Sequence, residues 1–85
     1  MIDLEFIINI IGWIGAMSLF VAYLVISSGR THSKSFFYQG LNIVGSIGFI
    51  VNSYYFGAMP SVALNALWLT VGLTTLLKPI MKQEN

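Results

Sequence analysis

Apolar residues dominate three stretches of the chain, Phe6–Ser28, Phe36–Phe56 and Pro60–Leu77, and none of the three contains Asp, Glu, Lys or Arg. A helix needs about 20 mostly apolar residues to cross a hydrocarbon core roughly 30 Å thick. Each stretch therefore predicts a transmembrane helix, the three joined by the short segments GRTHSKS and GAM. The middle one is the least apolar, because Gln39, Asn42 and Asn52 interrupt it. The expected fold is a single all-α membrane domain over residues 1–85, a bundle of three transmembrane helices at about 6–28, 36–56 and 60–77. Lys78 followed by Pro79 predicts the inner end of the third helix, since a proline disfavours helix in the residue before it.

The polar residues inside these stretches fall into stripes. On the third helix Ser61, Asn65, Trp68, Gly72 and Thr75 recur at spacings of four and three, which places them on one face. Asn9, Trp13, Ala16, Phe20 and Tyr23 do the same on the first helix. On the second, Asn42, Ser46, Phe49 and Ser53 align, with Asn52 beside them. Counting from the outer ends, Asn52 and Asn65 sit at similar depth, roughly 6–8 Å in at 1.5 Å per residue. One turn deeper lie Trp13, Phe49 and Trp68, set apart from the interfacial rings Phe36, Phe37 and Tyr38 at one end and Tyr54, Tyr55 and Phe56 at the other. A single membrane amide commonly just bonds a neighbouring helix, for roughly 0.6–2 kcal/mol. Here amides and flat rings coincide in two adjacent layers, which is what a neutral polar solute needs: hydrogen bonds at its edge and apolar contact on its face. Asn65, Phe49, Trp68, Asn52 and Trp13 are the expected substrate-binding residues. Gly12, Gly15, Gly45 and Gly48 are expected where helix backbones approach closely.

Composition agrees with a membrane protein. Of the 85 residues 56% are hydrophobic and only 8% charged, whereas a soluble domain of this size carries roughly a quarter charged residues. The charges are also segregated. Arg30 and Lys34 lie between the first two helices and Lys78 and Lys82 follow the third, so with three spans every basic residue falls on one side. Basic loops mark the cytoplasmic side, so the N-terminus is expected outside and the C-terminus in the cytoplasm. Association is then expected between parallel copies. The leading MIDLEF is acidic rather than basic, unlike a cleaved signal.

Chemistry is constrained by what the spans lack. With no cysteine, and with the lone His32 in a loop, no nucleophile–base pair or metal-ligand cluster is expected, and no cofactor, nucleic-acid partner or enzymatic activity. No carboxylate or histidine lies inside a span, so no proton or sodium relay is expected. A facilitator moving a neutral solute down its gradient is the simplest reading. The rival is a non-transporting structural protein or a holin-like pore former, also small and lopsided in charge. A small multidrug exporter would need a fourth helix and a membrane glutamate.

With SLFVAY in the first helix, the short basic loop, GFIVNSYYFGAMP closing the second helix and SVALNALWLTVGL in the third, the chain resembles a SemiSWEET, the half-size bacterial relative of the SWEET sugar transporters in the PQ-loop superfamily. The resemblance covers nearly the whole chain. It implies a parallel homodimer in a bacterial inner membrane, with a path for a sugar-like solute along the dimer axis. It matches Asn65 to the family's third-helix asparagine, Phe49 to its second-helix tryptophan, and Asn52 to the neighbourhood of its outer-gate tyrosine. The Pro-Gln pair that names the superfamily reads Val21-Ala22 here, so the first helix is expected to be straight and the pliancy that transport requires to reside at Gly12/Gly15 or Gly45/Gly48.

Overall fold

The computed structural model describes residues 2–82. It contains three helices, α1 (Leu4–Ser27), α2 (Phe36–Tyr55) and α3 (Met59–Lys82). Their ends follow from local chemistry. The Asp3 carboxylate caps α1 by accepting from the Phe6 N–H at 2.9 Å, which starts the helix ahead of the apolar run. Ser35 caps α2 through Tyr38 N–H at 3.2 Å. Both α1 and α2 stop on a glycine in the left-handed region, Gly29 at φ 78° and Gly57 at φ 75°. Ala58 N–H then returns to Ser53 C=O at 2.8 Å, satisfying an end carbonyl of α2.

α3 departs from expectation. It runs through Lys78-Pro79 to Lys82 instead of ending there. A proline removes one i→i−4 donor, and in a final turn little else depends on that bond, so the helix continues past it.

The arrangement also differs from three mutually touching helices. α2 packs against both neighbours, while no Cα of α1 lies within 8 Å of one of α3 among the described residues. The helices form an open layer with α2 at its centre, 51 × 28 × 22 Å overall. α1 and the Met59–Lys78 part of α3 are long and apolar enough to cross a membrane. α2 is long enough but more polar, and its central position explains why: Gln39, Ser46 and Ser53 are buried against its neighbours and Asn52 is half-buried.

α1 and α2 meet backbone to backbone. A Cβ placed on Gly15 would stand 2.9 Å from the carbonyl oxygen of Gly45, and one on Gly48 would stand 3.0 Å from that of Ile11. These glycines are filled joints, so the pliancy expected at Gly12/Gly15 or Gly45/Gly48 has no room there.

Candidate functional site

Because α1 and α3 flank α2 without meeting, a groove runs along one face of α2. Helical phase identifies which side chains enter it. Asn9, Ala16 and Tyr23 are seven apart on α1, as are Asn42 and Phe49 on α2, so each set holds one face over two turns or more. The part of the groove nearer the start of α1 and the α2–α3 turn, called the outer chamber for position only, is about 240 Å³ and is lined by Asn9, Gly12, Trp13, Ala16, Phe49 and Asn52. The inner part, about 470 Å³, draws on all three helices, with Tyr23 from α1, Tyr38, Gln39 and Asn42 from α2, and Trp68 and Thr75 from α3. Away from the groove, aliphatic side chains are exposed at mid-helix, including Ile10, Ile14 and Met17 on α1 and Val44, Ile47 and Val51 on α2. The rings of Phe36, Phe37, Tyr54, Tyr55 and Phe56 are exposed at the ends of α2, and Trp13 borders both faces.

The expected site residues distribute unevenly over this geometry. Trp13, Phe49 and Asn52 share the outer chamber, whereas Trp68 lines the inner one. Trp13 is 71% exposed and Trp68 56%, so both indoles stand open. Asn65 lies in neither chamber. It is 7% exposed in the seam between α2 and α3, and its amide donates to the carbonyl and hydroxyl oxygens of Ser61 on its own helix, at 2.9 and 3.3 Å. Asn52 crosses to the other neighbour, donating at 3.0 Å to the Ile8 carbonyl of α1. Its side chain fills the space beside Gly12, whose missing Cβ makes that approach possible. The two asparagines of similar depth thus serve opposite sides of α2.

The inner chamber recruits residues not singled out as a site from the pattern. Asn42 lines the chamber and donates to the Tyr38 carbonyl one turn back at 3.3 Å. Gln39 donates at 2.6 Å to the Ser33 carbonyl and so ties the α1–α2 loop to the chamber floor. Thr70 and Thr74 bond back to carbonyls of α3 at 2.9 Å. Thr75 lines the chamber instead. Tyr38, which the sequence assigns to the interfacial belt, belongs to the groove as well. The usable signal was spacing, since Tyr38 and Asn42 continue the Phe49 face inward. Amides and ring faces line both chambers, and the inner one adds the hydroxyls of Tyr23, Tyr38 and Thr75. Among the described residues neither is lined by a carboxylate or an ammonium group. Such walls suit a neutral polar molecule.

No curated protein and no solved structure matches the chain. A family model matches residues 8–83, which take in all three helices, and no function is assigned to that family. The chain therefore belongs to this uncharacterised family.

Proposed function

We propose that this protein is a half-transporter that crosses the membrane three times and moves a neutral polar solute, such as a sugar, along the α1–α3 groove as a SemiSWEET-like facilitator. The observation that supports this reading is a groove lined by amides, ring faces and, in its inner part, hydroxyls, set against a mid-helix surface of α1 and α2 that exposes mostly aliphatic side chains. A groove open along one side cannot enclose a path, so a second, parallel copy closes it. α2 crosses as the third span. Its 20 residues cover about 30 Å, and its polar side chains turn toward the protein, where membrane helices keep theirs. The basic loop after α1 and the end of α3 face the cytoplasm, and the N-terminus faces outside. Trp13, Phe49 and Trp68 offer ring faces and Asn42 a hydrogen-bonding edge, while Asn52 ties α2 to α1 and Asn65 fills the α2–α3 seam.

The test is swelling of proteoliposomes in iso-osmotic neutral polyols. Wild type is expected to admit one or a few small polyols faster than protein-free vesicles and to exclude a trapped charged dye, and Trp68→Ala is expected to reduce the rate at least several-fold. Swelling no faster than in protein-free vesicles would remove the transporter reading. Release of the dye would favour the pore-former instead.

A further inference from the structure

We infer that α3 is the moving part of this molecule: it swings as a rigid rod about the turn at 56–58, against a fixed α1–α2 pair, and so opens and narrows the inner chamber. Four observations converge on this.

The α1–α2 joint is a backbone contact at Gly15, Gly45 and Gly48, and the Asn52 amide locks it by bonding across to a main-chain carbonyl. Close-packed backbone has no rotamers with which to absorb sliding. The α2–α3 seam is built differently. Its bond across the helices among the described residues is Ser53 Oγ to Ser61 Oγ at 2.7 Å, close to the turn. Farther in, Asn65 spends its N–H on its own helix and Ser46 Oγ is buried with no partner among the described residues. At the inner end, Gly72 faces the tips of Gln39 and Ile43 rather than main chain, at 3.1 and 3.3 Å from the position of its absent Cβ.

The turn suits a pivot. It is three residues long, from Phe56 to Ala58, centres on Gly57 at φ 75°, and is tethered by Ala58 N–H to Ser53 C=O. Pro60 follows in the first turn of α3, where its missing N–H leaves no gap and its fixed φ keeps the start of the rod stiff. Among the described residues nothing on α1 holds α3 in place, because the two make no close approach. From Met59 to Leu77 is about 27 Å of helix, so a tilt of about 10° shifts the inner end by about 5 Å. Trp68 and Thr75 ride on α3, whereas Tyr23, Tyr38 and Asn42 stay on the fixed pair, so the swing changes the width of the inner chamber and leaves the outer one, which has no α3 residue, unchanged.

The native chain lacks cysteine, which allows paired spin labels at chosen sites in the full-length protein. Exposed positions outside the groove serve: Leu24 with Leu77 across α1 and α3 at the inner end, Leu24 with Phe37 across α1 and α2, and Val51 with Leu64 near the pivot. The 24–77 distance is expected to be broad or two-peaked over several ångströms, with the other two single and narrow. A mid-depth pair, Met17 with Leu67, is expected to show an intermediate spread, because displacement grows with distance from the pivot. Gly72→Val serves as a wedge that shifts the 24–77 distribution to longer values without changing 24–37. A 24–77 distribution as narrow as 24–37, or equal spread in all pairs, overturns the proposal. The measurement needs no solute, so it stands or falls separately from the transporter reading.

Discussion

α2 has two neighbours and treats them unlike one another. Toward α1 it presents Gly45, Gly48 and the Asn52 amide, and the main chains nearly touch. Toward α3 it presents Gln39, Ser46 and Ser53, and side chains stand between the helices. The lesson concerns what polar residues do in a helix packed between two neighbours. Where glycine removes the side chain, dispersion contacts and weak main-chain interactions hold two rods together. Where small hydroxyls fill the seam, the contact rests on bonds that have alternatives nearby, each worth little. A joint of the first kind fixes geometry, and one of the second kind permits several.

The sharpest way to break this contrast is to add one methyl group on each side. Gly15→Ala puts a carbon 2.9 Å from a main-chain carbonyl that cannot rotate away. It is expected to destabilise the fold by about 1–3 kcal/mol, as overpacking does. Gly72→Ala meets the end of Gln39, a flexible side chain, at 3.1 Å. Its effect is expected to stay below about 1 kcal/mol, and the gain in helix propensity offsets part of it. Reversible unfolding in detergent micelles gives both values. Equal losses at the two sites would mean that the seams are equally tight.

The next largest effect isolates the Asn52 clamp. Asn52→Ala removes the bond to the Ile8 carbonyl and is expected to cost about 0.6–2 kcal/mol. Gly12→Ala alone forces a Cβ into the space that the amide occupies and is expected to cost more. Combined, the two changes vacate and fill the same volume, so the double variant is expected to be more stable than the sum of the single losses predicts. A double-mutant cycle reads that coupling directly. Simple additivity would show that Asn52 and Gly12 do not share the space the structure gives them.

Which parts of this were legible beforehand has a physical explanation. Three helices were legible from charge-free apolar runs joined by GRTHSKS and GAM. Their capping by Asp3 and Ser35 and their stops at Gly29 and Gly57 came with the structure. The glycines were legible as points of close approach, but their spacing carries no sign of whether a close contact is loose or locked. The stripe Asn42–Ser46–Phe49–Ser53 was harder to read. It spans enough arc that a central helix divides it, with Asn42 and Phe49 going to the groove and Ser46 and Ser53 to α3. Periodicity fixes angles within a helix but not the directions of two neighbours. For the same reason Asn52 and Asn65, matched in depth, are parted by α2. Pro79 misled because a rule about helix interiors weakens in a last turn, where few bonds remain to be lost.

The smallest expected effect tests the soft seam at its most telling atom. Ser46 is 1% exposed, and its hydroxyl has no hydrogen-bond partner among the described residues. An unsatisfied buried hydroxyl costs about 1–3 kcal/mol, so removing it relieves a penalty instead of breaking a bond. Ser46→Ala is therefore expected to leave thermal stability unchanged or to raise it slightly. Ser53→Ala loses the 2.7 Å bond to Ser61 and is expected to lower stability by about 0.5–1 kcal/mol. The order of the two variants matters more than either value. If Ser46→Ala proves the more damaging, its hydroxyl is bonded in the folded protein, most simply to the Asn42 carbonyl one turn back as serines in membrane helices commonly are. That bond would add no tie between α2 and α3, so the seam would remain soft but would lose its frustrated atom. If instead the loss disappears when Asn65 is also changed to Ala, the two side chains pair across the seam, and α3 is held at mid-depth as well as at its turn.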